Sequence, residues 1–85
     1  MEIKIEVPDY SPNRGITYKW EYGFEIETRI DNDTIVITAN KEGLVSLANH
    51  LLNLAQDNVP LGCHHHFDSY NSLEDGSIAL IIDKK

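Results

Sequence analysis

The sequence predicts an α+β domain. One amphipathic helix, at about residues 41–57, packs on one face of a five-stranded, mainly antiparallel sheet in the order βββαββ. Three observations predict this class: an apolar–polar alternation over residues 17–30, leucines at helical spacing after Asn40, and an apolar run over residues 77–82. A chain of 85 residues supports one hydrophobic core, so we expect a single domain over residues 1–85.

The first three strands are predicted from period-two alternation and from the turn residues between them. Residues 2–7 alternate between apolar and charged side chains and predict the first strand. The strand over residues 17–30 is long enough to bend, and Gly23 is the expected place for a bulge or kink. Asp31-Asn32-Asp33 predicts a tight hairpin turn into the third strand, over residues 34–39.

The helix is predicted from its cap and from the spacing of its apolar residues. The side chain of Asn40 can accept hydrogen bonds from the free N–H groups of the first turn, and Asn58 and Pro60 end the helix near residue 57. The stripe expected to face the core is Leu44, Leu47, Ala48, Leu51, Leu54 and Ala55. The polar face expected to meet solvent is Ser46, Asn49, Asn53, Gln56 and Asp57. Strands over residues 63–68 and 77–82 complete the sheet.

Composition excludes several functional classes. Fourteen acidic side chains against seven basic ones give a net charge of −7, which repels nucleic-acid phosphates and favours a basic partner, although solubility explains such a charge equally well. No stretch approaches the roughly 20 apolar residues of a membrane span, and no signal peptide is evident. The single cysteine, Cys63, has no internal disulfide partner, which is typical of a reducing compartment. We therefore expect a cytoplasmic protein that binds neither nucleic acid nor membrane.

Side-chain parity predicts which residues line the sheet face opposite the helix. If Phe67 points towards the helix, the alternate positions of its strand point away. The aromatic side of the long strand faces the core, which sends its carboxylates to the same open face. The predicted partner-binding residues are Glu21, Glu25, Glu27, His64, His66 and Asp68. Ile81 is also expected on this face, and an alternative is that the face mediates self-association into a homodimer.

A metal site is a second interpretation of the same strand. His64 and His66 have the His-x-His spacing that puts two imidazoles on one side of a strand, and Asp68 extends the row as a ligand or as a partner of a ligand. No second cluster of ligands accompanies them, and a structural role for the imidazoles is the more common explanation.

No catalytic constellation is evident in the sequence. Cys63 and His64 are adjacent on a strand and face opposite sides, while His65 shares the side of Cys63 in a site that the helix would close to substrate. The carboxylate row on an open face is well solvated, which supports acid–base catalysis poorly. We expect neither an enzyme nor a cofactor.

One motif of the C-terminal half carries a family resemblance: Gly62-x-His64-x-His66-Phe67-Asp68. The accompanying segments are Thr38-Ala39-Asn40-Lys41-Glu42-Gly43-Leu44, Leu47-Ala48-Asn49-His50-Leu51-Leu52, Val59-Pro60-Leu61-Gly62 and Leu73-Glu74-Asp75-Gly76-Ser77. Over about residues 35–83 the chain resembles a family of small bacterial immunity proteins of polymorphic toxin systems. The resemblance implies a protein that neutralises a toxin made by its own cell or by a sister cell, and it does not say whether the motif residues bind or shape the fold.

Charge, the lack of a catalytic constellation and the resemblance together predict a stoichiometric protein inhibitor. Its acidic surface would dock on the cognate toxin, for instance a basic nuclease adapted to bind phosphate. The alternatives are a metal-binding protein that uses His64, His66 and Asp68, and a self-associating domain of unknown role.

Overall fold

The computed structural model describes all residues from Met1 to Lys85. Its elements are β1 (Ile26–Asp31), β2 (Thr34–Ala39), α1 (Lys41–Leu54), β3 (His64–Phe67) and β4 (Leu80–Asp83). The predicted α+β class with one helix is confirmed. The predicted five-stranded sheet is wrong, because β1–β2 and β3–β4 form two separate antiparallel pairs.

The hairpin β1–β2 follows the sequence pattern closely. Ile26 pairs with Ala39 at one end, and Asp31 pairs with Thr34 at the other. The two residues of the loop, Asn32 and Asp33, have φ angles of 53° and 65°. Positive φ at both central positions is typical of the type I′ turn, whose twist matches that of the strands. The predicted hairpin is confirmed.

The N-terminal segment, which we define as residues 1–25, differs from the prediction. It contains no strand, and its one bridge joins Ser11 to Gly15, so the predicted strand over residues 2–7 is wrong. The predicted strand over residues 17–30 begins only at Ile26. A turn precedes it, closed by a hydrogen bond from the Phe24 N–H to the Glu21 carbonyl, with Gly23 at a φ of 81°. Gly23 therefore breaks the alternation, as glycine at positive φ can, and does not merely bend a continuous strand.

The two sheets are joined through residues 74–78. The Glu74 N–H donates to the Ile26 carbonyl (2.9 Å) and the Ile78 N–H to the Thr28 carbonyl (3.3 Å), so this segment runs parallel to β1 along its free edge. The Thr28 hydroxyl donates in turn to the Ile78 carbonyl. The chain then continues into β4. The predicted strand over residues 77–82 is confirmed only from Leu80, because the residues before it bond β1 irregularly.

The helix begins where the cap predicts. The Asn40 side-chain oxygen accepts from the Gly43 N–H (2.8 Å) and also from the Glu25 N–H (3.0 Å), which ties the end of the N-terminal segment to the start of α1. A Cβ at Gly43 would lie 2.5 Å from the Glu25 carbonyl oxygen, so glycine permits this close approach. The helix ends at Leu54, three residues before the predicted end at residue 57.

The orientation of α1 is the main departure from the sequence prediction. The buried residues of the helix are Gly43, Ser46, Asn49, His50, Asn53 and Leu54. Leu44, Leu51 and Leu52 remain 57%, 49% and 51% exposed. Of the stripe expected in the core only Leu54 is buried, so that prediction is wrong for most of its residues. The polar side of the helix packs on the rest of the protein, and Leu44, Leu51 and Leu52 lie on the outer side.

Buried amides of the helix explain this orientation. Asn49 donates to the Glu6 carbonyl (2.9 Å), and Asn53 donates to the Thr17 carbonyl (2.7 Å). These bonds give two carbonyl groups of the N-terminal segment the partners that a neighbouring strand would supply in a sheet. Helix side chains thus replace a neighbouring strand for the N-terminal segment, which is why residues 2–7 form none.

Two more residues of the same helix face extend this arrangement. The Ser46 hydroxyl accepts from the Glu21 N–H (2.9 Å). Gln56, just beyond the helix, donates to the Pro8 carbonyl (3.0 Å) and accepts from the Tyr10 N–H (3.1 Å). Positions three to four residues apart lie on one side of a helix, so together these side chains form a row along the N-terminal segment.

The apolar core is small and lies between the hairpins and the helix. Ile26, Phe67 and Leu73 are its buried members. The half-buried residues packed on them are Trp20, Phe24, Ala39, Leu47, Leu80 and Ile82. The single helix lacks the length and hydrophobicity that crossing a membrane would need.

Candidate protein-binding surface

Strand β3 has the predicted parity. Phe67 and His65 are buried, while His64 and His66 are exposed. The register of β3–β4 places Asp83 opposite His64 and Ile81 opposite His66, so these four side chains share the outer face of the sheet. Asp68 follows the strand and is half-buried.

Each exposed imidazole has its own carboxylate. His64 Nδ1 lies 3.9 Å from Asp83 Oδ1, and His66 Nε2 lies 3.6 Å from Asp68 Oδ2. Asp68 also shapes the loop after β3, because its other carboxylate oxygen accepts from the Tyr70 and Asn71 N–H groups. No three or more His, Cys, Asp or Glu side chains are grouped to hold a metal ion, so the structure does not assemble the suggested metal set.

Two of the predicted glutamates meet two unpredicted carboxylates in a cleft. We call Glu25, Glu27, Glu74 and Asp75 the acidic cleft; they line an open depression of about 650 Å³ next to the end of β2. Arg29 is the nearby cation, with one guanidinium nitrogen 3.5 Å from a Glu27 carboxylate oxygen. All four acidic residues are exposed, so the cleft presents concentrated negative charge to solvent.

Glu21 lies apart from the acidic cleft. It is half-buried beside the start of α1, where it shares a shallow depression with Tyr22, Lys41 and Glu42. The turn at Gly23 separates it from Glu25, and this break removes the alternation that placed both on one face. The six predicted residues therefore occupy three places, namely the acidic cleft, the outer face of β3 and the start of the helix.

A small aromatic slot adjoins His66. Tyr18, Trp20 and Phe67 line it together with His66 and Asn71, and its volume is about 140 Å³. Slots with aromatic walls and a polar rim commonly receive one anchoring side chain of a protein partner. Sequence reasoning assigned these aromatic residues to the core, and the structure leaves an opening between them.

Beneath the slot, the hydrogen bonds of His65 determine its tautomer. The His50 carbonyl, 2.7 Å away, can only accept, so His65 Nε2 carries the hydrogen. His65 Nδ1 therefore accepts from the Tyr18 hydroxyl at 2.8 Å. Burial lowers the pKa of His65, the bond to the His50 carbonyl opposes this shift, and nearby His64 lowers the pKa further. Burial raises the pKa of Tyr18, which keeps the hydroxyl a donor.

His50 is the most isolated polar side chain of the protein. It is fully buried, and neither ring nitrogen has a hydrogen-bond partner within the chain. The Trp20 ring lies edge-on at 4.2 Å between centroids, and Tyr18 and Phe67 complete the surroundings. Burial lowers the pKa of His50 to about 4, and the neighbouring His65 contributes to the shift. A neutral imidazole here fills the core as an aromatic ring.

Sequence reasoning missed the contribution of Glu74 and Asp75 to the acidic cleft. Both follow Leu73, which is buried, and both lie in a loop by local pattern. Their position depends on the hydrogen bond between the Glu74 N–H and the Ile26 carbonyl, a contact across half of the chain. The two acidic residues next to an apolar residue, Leu73, could have indicated an exposed acidic turn beside the core. No local pattern indicates that this turn lies next to β1.

Comparison with known proteins gives one match. The family model described as Immunity protein 32 matches residues 34–85, more than half of the chain. The matched range holds β2, α1, β3 and β4 together with the Gly62–Asp68 motif, whereas β1 and the N-terminal segment precede it. No curated protein and no solved structure matches the chain.

Proposed function

The chain belongs to the Immunity protein 32 family, and from this we propose that it neutralises a bacterial toxin by binding it as a stoichiometric protein inhibitor. The family match is the observation that carries the proposal. The surface supports it, because the exposed groups form charged and aromatic depressions suited to a protein partner. The inhibitor acts in the cytoplasm of the cell that makes it and needs neither cofactor nor catalysis.

The acidic cleft supplies the electrostatic part of the recognition. Four exposed carboxylates stand together there, with Arg29 as the neighbouring cation, in a chain of net charge −7. Such a field attracts a basic partner and raises the rate of association at low salt. A toxin that acts on nucleic acid carries a basic active-site surface for phosphates, so a nuclease is the toxin class that this charge fits best.

The aromatic slot beside His66 supplies the anchor. Because charged groups at a rim mainly guide the encounter, the tighter part of the binding energy comes from a side chain buried in a desolvated pocket. The outer face of β3, with His64, His66 and Asp68, lies next to this slot and forms its polar border. Glu21, at the start of the helix, contacts the partner only if the partner extends beyond the cleft.

The test uses the full chain and the toxin encoded by the adjacent gene. A complex is expected in a pull-down and in calorimetry at low salt, with an affinity that falls as salt rises. The double variant Glu27→Lys/Asp75→Lys reverses charge in the acidic cleft and should weaken binding about 10- to 100-fold, mainly by slowing association.

A matched control separates the cleft from total charge. Glu2→Lys/Asp9→Lys changes the net charge equally at exposed positions of the N-terminal segment, and it should leave the affinity within about threefold. Equal losses in both double variants would remove the acidic cleft from the proposal. Absence of any complex at low salt would remove the inhibitor function itself.

A further inference from the structure

The β1–β2 hairpin has two outer edges, and the chain covers the one that belongs to β1. The carbonyl groups of Ile26 and Thr28 point away from β2, because they accept from the N–H groups of Glu74 and Ile78. In an antiparallel pair, a residue whose backbone groups point outward lies opposite a residue whose backbone groups point outward on the other strand. The register of the hairpin therefore determines the backbone orientation along β2 as well.

Along β2, the backbone groups of Ile35 and Ile37 point to the outer edge of the hairpin. Ile37 lies opposite Thr28, and Ile35 lies opposite Ile30, two positions further along β1. β1 is the one strand that pairs with β2, and no loop or side chain bonds the backbone of either isoleucine. The two N–H groups and the two carbonyl groups thus lie at this edge without a partner in the chain.

Strand β2 carries none of the features that usually protect an edge. Exposed edges are commonly blocked by charged side chains, by proline or by a bulge. β2 reads Thr-Ile-Val-Ile-Thr-Ala, without charge or proline, and its pairing with β1 is unbroken. Ile35 and Ile37 are 70% and 43% exposed, and the neighbouring Ile30 is 63% exposed. An uncharged edge with exposed isoleucines is suited to pairing with an extended segment of another molecule.

We propose that an extended, basic segment of the toxin pairs with the outer edge of β2 and adds a strand to this sheet. The inference rests on the proposed inhibitor function and names the element to which the toxin binds. The backbone of the segment bonds the free N–H and carbonyl groups of Ile35 and Ile37. Because side chains alternate along a strand, its apolar side chains pack beside the isoleucines and its basic ones lie on the other face and at the ends.

Charge at both ends of β2 selects this occupant. Asp31 and Asp33 are exposed at the turn that precedes β2, and the acidic cleft adjoins the other end, at Ala39. A basic segment meets opposite charge at each end. In a pair of two copies joined through β2, acidic groups face acidic groups at both ends, whichever way the strands run. The net charge of −7 thus disfavours a second copy and favours a basic partner.

The outer edge of β3 is the comparison within the same chain. The Cys63 carbonyl accepts from the Lys84 N–H on the side of β4, so the backbone groups of His64 and His66 point away from β4. The His66 carbonyl already accepts from the Asn71 side chain at 2.9 Å. This edge therefore offers fewer free backbone groups than β2 and presents imidazoles in place of isoleucines.

Amide hydrogen exchange of the full chain, free and bound to the toxin encoded by the adjacent gene, tests the pairing directly. Exchange of the Ile35 and Ile37 amides should slow at least about 100-fold in the complex. The Val36 amide bonds β1 in both states and should change less than about threefold. Protection of the His64 and His66 amides without protection at β2 would place the toxin at β3 and overturn the proposal. Protection at Ile35 and Ile37 in the free protein that disappears on dilution would assign the edge to a second copy and overturn it as well.

Ile37→Pro removes one hydrogen-bond donor from the edge. The Ile37 N–H has no partner in the hairpin, so the variant should keep the wild-type circular dichroism spectrum, as proline is tolerated on edge strands. Affinity for the toxin should fall at least about 10-fold, by the same factor at low and at high salt, because the lost bond joins uncharged groups. Ile3→Pro is the matched control at an exposed position of the N-terminal segment, and it should leave the affinity within about threefold.

Ile35→Lys is a second variant that leaves every backbone group in place. It adds the kind of charge that commonly blocks an edge, next to a basic segment, and should weaken toxin binding about 10-fold. Full affinity in both variants, with unchanged exchange of the Ile35 and Ile37 amides in the wild-type complex, overturns the proposal and leaves the inhibitor function intact. The absence of any complex at low salt removes the inhibitor function itself, and the proposed pairing with it.

Discussion

The N-terminal segment and residues 26–85 are held in place by different kinds of hydrogen bond. In residues 26–85, backbone groups bond one another within the helix and the two hairpins. In the N-terminal segment, the carbonyl groups of Glu6 and Thr17 accept from asparagine side chains of α1. The two bonds join residues that are separated by 43 and 36 positions in the sequence. The first region follows local rules of secondary structure, whereas the second depends on one helix face already being in place.

The difference between the two regions also explains why α1 buries its amides and exposes several of its leucines. The family match covers residues 34–85, and within this range the amides of α1 look like a solvent-exposed face. Their partners lie outside the matched range, in the N-terminal segment. The region without regular elements thus decides which side of the best-defined element is buried.

Acidification should produce the largest change at the contact between the two regions. His50 stands where Tyr18 and Trp20 of the N-terminal segment meet the helix, with a pKa of about 4 against the ordinary 6.5. Between these two pH values the unfolded chain binds more protons than the native one, so stability falls as pH drops from 6.5 to 4. One pKa unit corresponds to about 1.4 kcal/mol, which gives a loss of about 3 kcal/mol from this group.

Urea unfolding from pH 7.5 to pH 4 measures this loss. Carboxylates also titrate in this range, so the comparison is with His50→Phe, which keeps an aromatic ring and removes the titrating group. The wild type should lose about 3 kcal/mol more than the variant over the interval. Parallel curves for the two proteins would contradict a neutral, buried His50.

Removal of one helix amide should have the next largest effect. Asn53 is fully buried and links α1 to the Thr17 carbonyl, and its own carbonyl oxygen accepts from Gln56. Asn53→Ala removes both side-chain bonds, while Gln56 keeps its bond to the Pro8 carbonyl, and the variant should lower the free energy of unfolding by about 2 kcal/mol. Hydrogen exchange should show the N-terminal segment opening before the β1–β2 hairpin, because only the segment loses its partner.

Asn58→Ala is the control for that change. Asn58 also donates to the N-terminal segment, at the Tyr10 carbonyl, but the bond is 3.3 Å long and exposed. Water replaces it at little cost, so the variant should lose less than about 0.5 kcal/mol. Similar losses in the two variants would mean that buried amides are not what holds the segment.

The smallest effect is expected at Ile3, and it separates the observed fold from the one that alternation predicts. Ile3 is 62% exposed, so Ile3→Ala should change the free energy of unfolding by less than about 0.5 kcal/mol. The same substitution at Ile26, which is fully buried in β1, should cost about 2–5 kcal/mol. Chemical denaturation of both variants makes the comparison, and a large loss at Ile3 would restore the predicted strand over residues 2–7.

Local patterns predicted the candidate surface only in part. The parity of β3 follows from Phe67 alone, and it correctly places His64 and His66 outside and His65 inside. Glu25 and Glu27 stand together because they alternate near the start of β1. Glu21 does not join them, since the turn at Gly23 resets the alternation. Glu74 and Asp75 enter through a non-local hydrogen bond that no spacing indicates.

The sequence by itself determined the features whose causes lie within a few residues. The Asn40 cap, the Asn32-Asp33 turn and the parity of β3 each depend on side chains and backbone angles at neighbouring positions. The family membership likewise rests on sequence alone, over residues 34–85.

The tertiary structure decided which face of α1 is buried. Either the leucine side or the amide side of α1 could face the interior. The amide side is buried because Asn49 and Asn53 donate hydrogen bonds to carbonyl groups of the N-terminal segment, which belongs to no sheet. That competition involves residues some 40 positions apart, so periodicity along the helix cannot resolve it. The same contacts leave Leu44, Leu51 and Leu52 on the outer side of the helix.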